Sequence, residues 1–186
     1  MKKSLASILG IALAVSVSVS ASDALALPPV GESLPALKLV DADDVETAIT
    51  PAGKPIVVFY EDKGSSQQNQ PLKDDIAKVS PAEKYKEKVT FVAIADVVGY
   101  DYWPARGFVK SAVRKEQQKA GTPIYLDWDG GVRTKLKITV GSSNVIVYGR
   151  DGKALFSKAG PLTPSERQMV LDILKASTTP PTAPAH

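Results

Sequence analysis

The sequence predicts a three-layer α/β/α domain, and three patterns carry that prediction. Two continuous apolar, β-branched runs, at 55–60 and 89–95, flank one segment of helical spacing. An Asp-Gly pair, Asp151-Gly152, joins two further apolar runs. A helix-start signature, Thr163-Pro164-Ser165-Glu166, follows them. A chain of 186 residues holds one domain with a proper core rather than two.

Each element can be argued in order. Leu37 to Val40 is a short extended lead. Pro55 to Tyr60 reads as a strand buried on both faces, because it lacks polar alternation. Glu61 to Gln70 is polar. Pro71 to Val79 places Leu72, Ile76 and Val79 at helical spacing, and Pro81 is expected to end that helix. Val89 to Ala95 is the second strand. Strand, helix and strand at this spacing form a βαβ unit with parallel strands. An aromatic loop, Gly99 to Pro104, precedes a helix over 105–119 that Gly121 caps. Phe108, Val109, Ala112 and Val113 are the expected buried face. Ile124 to Leu126 is a third strand, ending in a turn cluster over 127–131. Asn144 to Tyr148 and Ala154 to Phe156 flank the Asp-Gly turn as a hairpin. Thr163 caps the last helix, with Met169, Val170, Ile173 and Leu174 as its buried stripe.

The termini read differently. Lys2 and Lys3 precede an apolar run from Leu5 to Val19, with cleavage candidates after Ala21 and Ala26. That is the build of a secretory signal peptide over 1–26. The run approaches the ~18 residues of a membrane span, so an uncleaved anchor is the alternative. The domain then occupies 27–176, and a Pro/Thr-rich tail of low complexity, 177–186, is expected to be disordered. Cleavage removes Lys2, Lys3 and Asp23 and takes the formal charge from +3 to +2. Basic residues are scattered among acids, so nucleic-acid binding lacks the stripe it needs. The expected location is periplasmic or secreted, with no membrane contact after cleavage.

The chain has no cysteine, and its one histidine is the last residue, His186. Thiol–disulfide exchange, thiol peroxidase chemistry, Ser–His catalysis and a His-rich zinc site are thereby excluded. No cofactor is expected.

The element order, βαβ-α-β plus a C-terminal β-hairpin and helix, is thioredoxin-like. Val30 to Leu39 resembles the lead-in of exported thioredoxin-like and peroxiredoxin-like proteins, and Pro123 to Gly130 the extra strand and turn of the TlpA branch. Gly107 to Ser111, Ser142 to Lys153 and Lys158 to Glu166 are similar to the YtfJ family of small periplasmic proteins. The resemblance spans most of 28–175 and is specific in the C-terminal third. It implies a thioredoxin-like fold and an exported location, but no activity. Where a redox relative carries Cys-x-x-Cys, this chain has Gly64-Ser65-Ser66-Gln67; where the relative carries its cis-proline, it has Ser142-Ser143. Serine does not ionise near neutral pH and forms no disulfide.

Ligands of parallel sheets bind beyond the carboxyl ends of the strands. Three loops should gather there: 61–67, 96–104 and 127–131. Tyr100, Tyr102 and Trp103 offer amphipathic contact area for a protein or peptide partner; local packing on the adjoining helix is the plainer reading of the same residues. Ser65, Ser66, Ser142 and Ser143 are expected to add polar contacts. The leading expectation is a non-catalytic binding or adaptor domain. The alternative is a divalent-metal binder or carboxylate-dependent enzyme built on Glu61, Asp62, Asp96, Asp101, Asp127 and Asp129, and it requires at least three of these acids to converge. A third reading is regulation by displacing an active homologue from its partner.

Overall fold

The computed structural model describes residues 26–179. Residues 1–25 of the expected signal peptide and residues 180–186 of the expected tail lie outside that range.

The main sheet is built on β3 (Ile56–Glu61), whose five apolar residues are all buried. It pairs in parallel with β4 (Thr90–Asp96), placing Tyr60 beside Ile94. β4 pairs in parallel with β5 (Ile124–Asp127). On its other side β3 runs antiparallel to β6 (Asn144–Tyr148), which pairs with β7 (Ala154–Ala159). The order is β5-β4-β3-β6-β7. The Asp-Gly turn is required where it stands. Gly152 has φ +75°, and a Cβ there would lie 2.8 Å from the Pro51 ring.

Successive residues of β3 serve opposite faces, as strand geometry dictates. Val57 and Phe59 pack with Leu72 and Ile76 of α1 (Gln70–Glu83) and with Val170 and Leu174 of α5 (Pro164–Thr178). Tyr85, in the short α2 (Tyr85–Lys88), joins that layer. Ile56, Val58 and Tyr60 pack with Leu37 and Leu39 of β1 (Leu37–Val40), Ile49 of β2 (Glu46–Ile49) and Val132 of α4 (Gly131–Lys135). The second layer is therefore a hairpin plus one helical turn. α3 (Ala105–Ala120) lies at the β5 edge, with Val109 and Val113 against Leu126.

Several expectations need correction. The lead strand β1 has a partner, β2, that its sequence did not signal. α1 runs through Pro81 to Glu83. The proline stands three residues before the left-handed Lys84 cap, so it disturbs only the last turn. Phe108 is 72% exposed and Met169 53% exposed, so neither belongs to a buried stripe. α5 continues to Thr178, which is buried and bonds back to the Leu174 carbonyl; the first two residues of the expected tail are helical. The capping box of α5 is formed as expected, with Thr163 and Glu166 each bonding the other's backbone N–H.

Candidate functional site

The loops after β3, β4 and β5 leave the sheet at one end, and the start of β6 joins them because Asn144 pairs with Tyr60. Three arrangements meet there.

The first fills the place of the missing cysteines. Ser65 is fully buried. Its Oγ accepts the Asp62 N–H at 3.0 Å, and its own N–H donates to Asp62 Oδ1 at 2.7 Å. Asn69, 1% exposed, donates through Nδ2 to Ser143 Oγ at 2.9 Å and to the Gly160 carbonyl at 3.0 Å. Its Oδ1 accepts the Leu162 N–H at 2.9 Å. The Ser143 hydroxyl donates to Glu61 Oε1 at 2.7 Å, and the Ser143 N–H to Gln68 Oε1 at 3.0 Å. Glu61 Oε2 takes Lys73 Nζ at 2.7 Å, and Lys73 also lies over the Phe59 ring. Buried polar groups are stable only when satisfied, and this network satisfies its members internally.

Ser65 and Ser143 therefore face inward and cannot supply the partner contacts expected of them. Ser66 and Ser142 are half-buried. The Ser66 hydroxyl donates to the Lys63 carbonyl at 3.2 Å, and the Ser142 carbonyl accepts from Asn144 Nδ2 at 2.7 Å. Serine identity gave no hint of this division: Ser65 is held by Asp62 three residues before it, while the partners of Ser143 lie 74 to 82 residues away in the chain.

The second arrangement is the aromatic loop, which is open. Trp103 is 92% exposed, Tyr102 60% and Tyr100 53%. α3, which follows, has no buried residue along its length. Its first two turns are braced from the side: Arg106 pairs with Asp101 and lies over the Trp128 ring at 4.6 Å, while Lys110 holds Asp44 at 2.5 Å. The Lys110 ammonium holds the Asp44 carboxyl below its ordinary range. The aromatics do not cover the helix, contrary to the plainer packing reading.

The third is the set of strand-end acids, which are dispersed in function. Asp127, 2% exposed, accepts the Tyr60 hydroxyl at 2.8 Å, the Arg133 N–H at 2.8 Å and the Val132 N–H at 3.3 Å. Burial, and then that bond to Asp127, push the Tyr60 phenol well above its ordinary value. Asp96 binds Arg133 Nη2 at 2.6 Å, and Asp129 accepts the Gly131 N–H at 2.8 Å. Among the described residues no three potential metal ligands converge. The metal or carboxylate-enzyme alternative needed that convergence, and each acid is instead tied to its own donor. Asp127, at the end of β5, also accepts the Val132 and Arg133 N–H groups at the start of α4, a helix that the Gly130-Gly131 turn signal masked. The apolar pair Val132 and Leu136, one helical turn apart and both buried, was its available mark.

A parallel core continued by an antiparallel hairpin, with helices on the sheet and β3 central, defines a thioredoxin-like protein. Solved structures agree. An uncharacterized conserved protein from Geobacillus kaustophilus is 15% identical, at TM-score 0.59, over 83% of this chain and 86% of that one. The exposed lipoprotein thioredoxin Etrx1 of Streptococcus pneumoniae is 15% identical, at TM-score 0.57, over 76% and 99%. A secreted Mycobacterium tuberculosis disulfide oxidoreductase is 17% identical, at TM-score 0.53, over 84% and 99%. Such identities speak for the fold alone.

Residues 53–177 match the family model described as a bacterial protein of unknown function, YtfJ_HI0045, and the chain belongs to that family. No curated protein matches the sequence. With no cysteine, the chain cannot perform thiol–disulfide exchange or thiol-based peroxide reduction, whatever its fold neighbours do.

Proposed function

We propose that the protein is an exported, non-catalytic binding or adaptor domain that takes a protein or peptide partner on its aromatic loop. One observation carries this reading: Trp103, Tyr102 and Tyr100 stand exposed together at the end of the sheet where ligands of this architecture bind. Large aromatics in water are a standing cost unless something covers them, and they dominate contact energy when it does. The closed network beside them supports the same reading, because among the described residues it leaves no free nucleophile or acid–base pair where redox relatives carry their cysteines. Ser66 and Ser142 remain as rim contacts. Export rests on the leader sequence. No described helix is long and apolar enough to cross a membrane.

The test is photo-crosslinking in the periplasm, with a photoreactive side chain at position 103 and, as control, at exposed Met169. A discrete adduct from position 103 that weakens with Tyr102→Ala is expected. Equal labelling from both positions, or none from 103, overturns the proposal.

A further inference from the structure

Among the described residues, exposed aromatic side chains occur in one stretch only. Tyr100, Tyr102, Trp103 and Phe108 are exposed, and every other described aromatic is buried or half-buried. Phe108 follows one turn into α3, its N–H bonded to the Pro104 carbonyl at 3.4 Å. Val109 and Val113 turn inward onto Leu126, which leaves Phe108 in water with the loop aromatics. The acid of this stretch, Asp101, is already paired with Arg106. The surface therefore offers rings, the Trp103 indole N–H and two phenol hydroxyls, and little charge.

One segment of the chain has the matching chemistry. Residues 180–186, outside the described range, read Pro-Pro-Thr-Ala-Pro-Ala-His, and Pro181 to Pro184 is a Pro-x-x-Pro run. Proline-rich sequence favours the polyproline II conformation, which has no internal hydrogen bonds and leaves its carbonyls free to accept. Proteins read such segments by seating the prolyl rings between exposed aromatics. A segment already stiffened by proline also loses little freedom when it binds.

The same copy cannot supply it. Asn144 pairs with Tyr60 at the end of the sheet that carries the aromatic loop, so Tyr148, opposite Ile56, marks the other end. Arg150, just beyond Tyr148, donates to the Thr179 carbonyl at 3.3 Å. The tail thus leaves the domain at the end away from Trp103. The strand from Ile56 to Glu61 alone spans about 17 Å. Pro184, five residues past Thr179, reaches at most about 18 Å, while the aromatic loop lies beyond the far end of the sheet and Pro181 must reach it too.

We infer that the aromatic surface at 100–108 takes the Pro-x-x-Pro run of a second copy of this chain, and that this contact competes with an outside partner for the same rings. The inference rests on reading that surface as one that binds peptides. The contact is head to tail, so each complex keeps one free surface and one free tail, and association grows with concentration instead of stopping at a closed pair.

The experiment is ¹H–¹⁵N spectroscopy of the full mature chain, read at the Trp103 indole N–H. Trp103→Phe assigns that signal, and the Trp128 indole is the internal control. The Trp103 signal should move as the chain is concentrated from ~10 μM to ~1 mM. The synthetic peptide Pro-Pro-Thr-Ala-Pro-Ala-His should move it the same way, and a version with serine for each proline should bind at least about tenfold more weakly. A chain carrying Pro181→Ser and Pro184→Ser should lose the concentration dependence and still bind the peptide. No movement with concentration or with the peptide, equal binding of the serine version, or a concentration dependence that survives in the tail variant overturns the inference. An outside protein crosslinked from position 103 by a chain whose indole ignores the tail peptide also overturns it, and leaves the partner reading standing.

Discussion

The loop after β3 and the loop after β4 sit side by side at the same end of the sheet, yet they are built oppositely. The first is closed: Ser65, Asn69 and Ser143 are at most 1% exposed and hydrogen-bonded within the protein. The second is open: Trp103 is 92% exposed, and α3 behind it buries nothing completely. Fold neighbours named as disulfide oxidoreductases owe that chemistry to thiols, which this chain lacks. Without sulfur, that position must be either solvated or filled with mutually satisfied polar groups, and the structure shows the second solution. The difference teaches that the exposed aromatic surface of this chain lies one loop away from the position where its redox relatives carry their cysteines.

The largest effect that would sharpen this contrast is on stability. Asn69→Ala removes three hydrogen bonds and strands the buried Leu162 N–H. It should cost about 2–4 kcal/mol in urea denaturation at pH 7. A cost below about 0.5 kcal/mol, the range of surface changes, would mean that the closed region is not held by its network.

A smaller effect concerns pH at the far anchor of the same region. Lys158 first, and then the Thr163 backbone, hold the Glu166 carboxyl down to about 2 from its ordinary 4.5. A depressed carboxyl pKa adds stability that is complete above pH 4.5 and disappears as pH falls through 2. Glu166→Gln should therefore melt below the wild type at pH 6, and the gap should close on acidification toward pH 2. A gap that widens on acidification would contradict the assignment.

The smallest effect is expected in the open region. Trp103→Ala and Phe108→Ala should change stability by no more than about 0.5 kcal/mol, because both side chains are already in water. The first should nonetheless abolish partner capture in a pull-down with the partner found by crosslinking. Destabilisation by more than about 2 kcal/mol would show that Trp103 packs locally after all.

Much of the fold was legible because its elements carry their own contrast with solvent. The runs at 55–60 and 89–95 could only be strands, the first buried throughout and the second at Val89, Val92 and Ile94, Asp151-Gly152 could only turn, and Thr163 to Glu166 formed the cap that their order specifies. The β1–β2 hairpin was half legible: Leu37 to Val40 stood out, while Glu46 to Ile49 carries two polar residues and is stabilised by its partner rather than by its own pattern. In α3 the sequence offered Phe108 and Val109 as neighbours on one face. The short β5 edge accommodates Val109 and Val113 and leaves Phe108 outside.

The candidate site divides the same way. The absence of cysteine, and of every histidine but the last, excluded whole chemistries without any coordinates. The exposure of Trp103, the inward turn of Ser65 and Ser143, and the separate engagement of six strand-end acids belong to the tertiary structure alone. An absence, or a local pattern of apolar residues, is a property of the chain itself. Which polar group meets which, across 82 residues in the case of Glu61 and Ser143, is decided only when the sheet brings distant segments within hydrogen-bond reach.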